Sequence, residues 1–331
     1  MAGAPANVSA DSPAPVLPDD GLAGPLAVTA AGIRFQNPLL LAAGTAGYGR
    51  ELAEVMDLER LGGLVTKAVS VAPRPGAPAP RVAEFGGGMI NAIGLANPGL
   101  EDVRREQLPW MRRHLRRPRI LVNVVGSATE DFARVVEGLE AGDAPDAYEL
   151  NVSCPNVKAG GLEFGADPCA LAEVVSGARA VTRRPLFVKL SPTLQDIGAT
   201  ARAAVDSGAD GITVVNTIPG LVIDVERRQP ALGFGAGGVS GPGLLPVGVL
   251  ATWRVRNEVT VPIIGVGGVS RATDVVQYLL AGATLVGVGT AAMQDPRVPE
   301  RIVRDLARWC DSHSVRSAAE LIGALEWCPS R

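Results

Sequence analysis

Cysteine, histidine and aromatic residues are scarce in this chain of 331 residues, which holds four Cys, two His and only 4% Phe, Trp and Tyr. The four thiols, Cys154, Cys169, Cys310 and Cys328, show no C-x-x-C spacing, which argues against a cysteine-framed zinc site or iron–sulfur cluster in this chain. Scattered single thiols fit a reducing compartment, so the cytoplasm is the expected location. No apolar run approaches the roughly 20 residues that span a bilayer, and nothing ties the chain to a membrane. Positive charge is not concentrated either: 31 Lys and Arg stand against 34 Asp and Glu, a net charge of −3, which disfavours nucleic acid as the main partner. The densest basic run, Arg112 to Arg117, sits on a helical pattern and reads as a solvated helix face. The first 20 residues, rich in Ala, Pro and Asp, lack the basic start and apolar centre of a secretion signal. Residues 1–22 read as a disordered tail. A G-x-G-x-x-G opening a first helix is also missing, which removes the usual dinucleotide fold.

What the chain has is glycine and short apolar runs. It holds 40 Gly and is 47% hydrophobic, ordinary for an α/β enzyme with a large core. Residues 26–37 alternate and turn at Gly32, which predicts an N-terminal hairpin. A pattern then repeats eight times: an apolar run, a polar or glycine-rich break, and a segment at helical spacing. The runs are 38–44, 62–69, 119–126, 147–155, 185–192, 211–217, 262–269 and 285–293. Continuous apolar strands belong to parallel sheets covered on both faces. The segments 51–61, 100–117, 129–142, 167–182, 193–208, 243–259, 271–283 and 299–314 read as the helices. Start signals stand at Thr129, at Asp167-Pro168 and at Thr193, and 320–327 reads as a last amphipathic helix. Eight strand–helix units predict a (β/α)8 TIM barrel occupying 23–328 as one domain. Two long connections, 70–99 and 218–242, extend the face where a barrel keeps its chemistry, and loops of that length are usually functional or disordered.

The strand ends are unusually polar. Strand two ends at Lys67, strand three carries Asn123, and strand four carries Asn151 and Cys154. Strand five carries Lys189, strand six ends in Asn216 and Thr217, strand seven in Gly265, Gly267 and Gly268, and strand eight in Gly289 and Thr290. A barrel gathers all of these into one ring. In AYELNVSCPNVKAGG (147–161), Pro155 stops the strand and Gly160 and Gly161 free the chain to turn. By itself this stretch reads equally as a buried structural cysteine beside turn-forming asparagines, or as a binding and proton-transfer station. The ring favours the second. A lysine inside LFVKL needs an anion, because burying an unpaired ammonium is costly. Glycine pairs after strands seven and eight suit a phosphate group.

Seven motifs, in order and with compatible spacing from about residue 26 to about 315, resemble the dihydroorotate dehydrogenase family. They are NAIGLANPG (91–99), ELNVSCPNVKAGG (149–161), FVKLSP (187–192), VVNT (214–217), GGVSGP (237–242), GVGGV (265–269) and VGVGTA (286–291). Cysteine in SCPN resembles the soluble class 1 enzymes, and NAIGL with VKAGG resembles the class 1B catalytic subunit. The resemblance implies FMN-dependent oxidation of (S)-dihydroorotate to orotate in pyrimidine biosynthesis. Cys154 would take the proton from C5 while hydride leaves C6 for FMN. Lys67, Asn91, Gly94, Leu95, Asn151, Asn216 and Thr217 would hold the substrate. Ala43, Lys67, Ala68, Asn123, Asn151, Lys189, Val215, Gly241, Gly267, Gly268, Gly289 and Thr290 would hold FMN, with no metal in this chain. Carboxamides suit a ring carrying both N–H and C=O groups, and a lysine beside the flavin would favour its reduction. Class 1B further implies a homodimer within a heterotetramer, with an electron-transfer subunit carrying FAD and a [2Fe–2S] cluster and passing electrons to NAD+. Ala43 departs from the family pattern, in which serine is frequent there, and so removes one hydroxyl. Three other readings stay open: an FMN barrel acting on another dihydropyrimidine, a flavin-free barrel isomerising a sugar phosphate, and a non-catalytic binding subunit.

Overall fold

The computed structural model describes residues 22–153 and 164–327. The proposed tail lies outside them except for Leu22, which is buried. Cys154, Asn156, Lys158, Gly160, Gly161 and Cys328 also lie outside the described residues.

Eight parallel strands close into a barrel: β1 (Leu39–Leu41), β2 (Gly63–Val65), β3 (Arg119–Val124), β4 (Ala147–Asn151), β5 (Leu186–Leu190), β6 (Gly211–Val214), β7 (Ile263–Val266) and β8 (Leu285–Val288). They pair in chain order, and β8 returns to β1 through Val286 opposite Leu39. Every residue of β1, β2, β5, β6 and β8 is buried, as expected of strands with helices on one side and a filled barrel on the other. The predicted hairpin is present. Val28–Ala30 pairs antiparallel with Ile33–Phe35 around Ala31 and Gly32, both at positive φ (48° and 77°), the backbone a two-residue hairpin turn requires.

Helices follow seven strands near the expected positions: Leu108–His114, Thr129–Glu140, Pro168–Val181, Ile197–Asp206, Leu245–Arg256, Ala272–Leu280 and Val298–Ser312. The Asp167 carboxylate caps its helix by accepting from the N–H groups of Cys169 and Ala170. The later start at Ile197 belongs to Asp196, which accepts from Ala199, and not to Thr193. Three further expectations need correction. Segment 51–61 forms only the 3-10 turns Leu52–Glu54 and Leu58–Arg60, because Asp57 between them is extended and accepts from Glu59 N–H. Segment 100–117 is broken by a π turn, Val103–Gln107. Pro109, two residues past it, has no N–H with which to continue the α ladder. Residues 320–327 are not a helix: a 3-10 turn, Ala318–Leu321, gives way at Gly323, whose φ is 74°. From there Gly323 and Leu325 donate N–H bonds to the carbonyls of Leu279 and Leu280 at the end of the helix before β8. In the basic run, Arg112 is no solvated charge. It is partly buried, pairs with Asp146 at 3.1 Å and donates to Ala144 O.

The two long connections are neither loose nor separate. Val82–Phe85 and Gly88–Asn91 come from the first, Ile218–Gly220 and Gly237–Ser240 from the second, and together they form one antiparallel sheet. Gly238 lies between Asn91 and Pro219 in the register. This sheet positions the site.

Candidate active site

The C-terminal ends of the strands carry the predicted residues in register. Asn151 of β4 lies opposite Lys189 of β5, and Lys189 lies opposite Thr213 of β6. Below that row, Asn123 of β3 lies opposite Glu149 of β4 and donates from Nδ2 to its carboxylate at 2.7 Å. Lys189, Asn123 and Glu149 are all buried. Lys189 has no hydrogen-bond or acidic partner among the described residues, and Thr213 Oγ1 is buried with no hydrogen-bond partner. Two unsatisfied polar groups side by side in a barrel interior mark a place where a polar ligand completes the structure.

Ser153, which the sequence reading passes over, ties two of the amides together. Its hydroxyl donates to Asn151 Oδ1 at 3.0 Å and accepts from Asn216 Nδ2 at 2.7 Å. Asn216 Oδ1 in turn accepts from the Thr217 N–H at 2.8 Å. With both oxygens engaged and both amides half-buried, Asn151 keeps its Nδ2 as a free donor among the described residues. The small sheet brings in the other side. Asn91 donates to Gly238 O at 3.2 Å, and a Cβ on Gly238 would stand 2.0 Å from Thr217 Oγ1. Only glycine lets Asn91 and Thr217 approach so closely. Asn151, Ser153, Asn216 and Thr217 therefore form one hydrogen-bonded chain, with Asn91 brought up to it across Gly238.

Gly94 and Leu95 follow Asn91 at positive φ (67° and 56°), and the loop is held from beneath by Asn97. That buried side chain accepts from the N–H groups of Ser70 and Gly99 and donates to Leu95 O and Ser70 Oγ. Lys67 stands just past β2, half-buried, with no side-chain partner among the described residues. Ala68 and Val215 are buried and Ala43 is half-buried, all just beyond strand ends and offering flat apolar surface.

At the end of β7 a glycine is needed for space. Gly268 has φ 73°, and a Cβ there would lie 2.3 Å from Leu245 N. The Gly267 carbonyl accepts from Tyr278 OH at 2.8 Å. Burial, then the nearby Asp274 carboxylate, pushes that phenol above its ordinary value, so it stays a donor. Asp274 accepts from the N–H groups of Ser270 and Arg271, which fixes the following turn. Thr290 donates its hydroxyl to Ser240 Oγ at 2.8 Å, and Gly241 follows at φ 118°, so the β8 end and the small sheet meet here. Gly289 is also adjacent, with room around it.

Comparison with known proteins agrees with this architecture. A family model described as dihydroorotate dehydrogenase matches residues 25–309. The chain belongs to the dihydroorotate dehydrogenase family. A catalytic subunit of dihydroorotate dehydrogenase B (NAD(+)) from Pelobacter propionicus is 44% identical over 301 residues, covering 91% of this chain and 98% of the relative. A subunit of the same description from Geotalea uraniireducens is 43% identical, with the same coverages. A third, from Alkaliphilus metalliredigens, is 43% identical over 90% of this chain and 98% of its own length. The match spans every barrel strand and both segments of the small sheet. Among the described residues no helix is long and apolar enough to cross a membrane.

Proposed function

We propose that this chain is the catalytic subunit of an NAD+-linked dihydroorotate dehydrogenase of the cytoplasm. It oxidises (S)-dihydroorotate to orotate with FMN as the resident cofactor. The observation that carries the reading is the Asn91–Gly238–Thr217 and Asn216–Ser153–Asn151 arrangement beside a buried Lys189 that has no partner among the described residues. Carboxamides both donate and accept, which suits a ring of alternating N–H and C=O groups better than fixed charges would. Lys67, just past the end of β2, adds a cation suited to the substrate carboxylate. Gly94 and Leu95 close the same side with backbone groups.

The residues present fit a flavin. Thr213 Oγ1 is buried without a hydrogen-bond partner among the described residues, buried Lys189 has no acidic partner among them, Asn123 leaves Oδ1 as an acceptor, and Ala43, Ala68 and Val215 supply apolar walls. Gly241, Gly267, Gly268, Gly289 and Thr290 would take the phosphate. Bound FMN supplies the two-electron acceptor for the hydrogen on C6 of the substrate. Cys154 follows Ser153 directly and is assigned the C5 proton. Its thiolate is the base, so the proton it accepts must leave to solvent before the next turnover. Lys189 favours electron acceptance by placing positive charge in a water-poor interior.

Electrons then leave through a second subunit, for which we propose an iron–sulfur flavoprotein with FAD and a [2Fe–2S] cluster in a heterotetramer built on a dimer of this chain. The described residues contain no group of three or more His, Cys, Asp and Glu placed for a metal. The test is steady-state NADH formation from dihydroorotate and NAD+. The purified chain alone should reduce dyes but form little NADH, and the electron-transfer subunit should restore it. Rapid NADH formation by the chain alone would overturn the proposed electron route.

A further inference from the structure

Glu149 stands in the middle of β4 with 1% of its surface exposed, and its one hydrogen-bond donor among the described residues is the Asn123 carboxamide. A buried carboxylate is costly unless it is paired, and a single neutral amide is weak compensation. Lys189 has the opposite charge and the same problem. It is 6% exposed and has no acidic partner within ion-pair distance among the described residues.

The register relates the two. Glu149 lies opposite Phe187, and two positions along both strands Asn151 lies opposite Lys189. Glu149 and Lys189 are thus diagonal neighbours on adjacent strands, on the face that also carries Asn151 and, across from Glu149, Asn123. Diagonal positions are within reach of long side chains. These two make no direct pair, so each charge is left to act on whatever fills the space beside it.

We infer that Glu149 tunes the redox chemistry: placed diagonally from Lys189 across the β4–β5 seam, its charge offsets the lysine's and lowers the electron affinity of the bound flavin. The inference rests on the reading of this barrel end as a flavin site. It separates two functions that one lysine would otherwise combine. Lys189 draws electrons onto the cofactor, and Glu149 limits that pull so that they can be passed on.

The experiment uses the flavin-loaded full chain without substrate, and compares the parent with Glu149→Gln, Lys189→Gln and the double variant. Flavin content is read by absorbance, and the two-electron midpoint potential by anaerobic titration against a reference dye. A unit charge acting at an effective dielectric constant of about 20 shifts such an equilibrium roughly tenfold across a distance of about 10 Å. Glu149→Gln should therefore raise the reduced-to-oxidised ratio at a given potential about tenfold, or about 30 mV for a two-electron couple. Lys189→Gln should lower it by a similar factor, and the double variant should return to within about threefold of the parent. A flavin-replete Glu149→Gln chain with the parent's potential overturns the inference, as does a shift of the same sign in both single variants. Should Glu149→Gln alone fail to fold, the double variant buries neither charge, and its difference from Lys189→Gln gives the same quantity. A parent chain that retains no flavin overturns the flavin reading itself, and absorbance shows this before any variant is compared.

Discussion

Replacing Ser153 by Ala removes the hydroxyl that joins Asn151 to Asn216. Two hydrogen bonds go at once, of 3.0 and 2.7 Å, and no other side chain among the described residues bonds either amide group at those atoms. Asn216 keeps its Oδ1 bond to Thr217 N–H, and its Nδ2 keeps only a 3.5 Å contact with Ser153 O. Each lost bond is worth about 1 kcal/mol net, and the half-burial of both amides allows water to repay part of the difference. The sum, about 2 kcal/mol, corresponds to roughly a 30-fold loss of kcat/KM for dihydroorotate. Ser153 makes no bond to Lys189 or Asn123, so flavin content should stay at the parent level. The assay is dye-coupled dihydroorotate oxidation over a range of substrate concentrations, with the flavin-to-protein ratio measured on the same sample. A variant with kcat/KM within about twofold of the parent would refute the claim that Ser153 organises the amide group. A variant that instead loses its flavin would move the residue to the cofactor side.

Cys154→Ala should lower turnover by about 10²- to 10⁴-fold while flavin remains bound, and Cys154→Ser should keep weak activity that rises with pH. Parent-like reduction of the flavin by dihydroorotate in the alanine variant would make the thiol merely structural. Asn97→Ala removes five bonds that hold the loop carrying Gly94 and Leu95. It should cost about 3 kcal/mol of stability, seen as an earlier denaturant midpoint, together with a raised KM for dihydroorotate. An unchanged midpoint would show that the loop is held elsewhere. Gly268→Ala forces a Cβ to within 2.3 Å of Leu245 N at a backbone φ of 73°, so the purified chain should lose flavin. Full retention would place the phosphate seat away from β7.

The barrel was legible because each strand is a short, mostly apolar run between glycine-rich breaks, and β1, β5 and β8 are buried throughout. Lys189 was legible for the converse reason, a charge inside such a run. Glu149 breaks the AYELN run in the same way. Its partner Asn123, however, lies 26 residues away on another strand, a pairing that only the register reveals. The small sheet was hidden because its strands are three or four residues long and two of them begin at glycine. Nothing local distinguishes such segments from loops; they exist because two distant connections pair with each other. The 320–327 segment has a helix-like pattern, yet tertiary bonds to Leu279 and Leu280 outweigh it. Ser153 stands between Asn151 and Cys154 with nothing local to mark it, since a serine at a strand end is commonplace until its two amide partners are seen.

The central claim is that the strand-end ring oxidises dihydroorotate by passing two electrons to a bound flavin. Anaerobic mixing of the purified chain with (S)-dihydroorotate, followed by flavin absorbance, tests it most directly, with dihydrouracil as the comparison that lacks the carboxylate. Dihydroorotate should bleach the oxidised flavin band with orotate formed in equal amount, and dihydrouracil should leave the band unchanged over the same time. Bleaching by dihydrouracil at a matching rate, or none by dihydroorotate in a flavin-replete chain, would contradict the account.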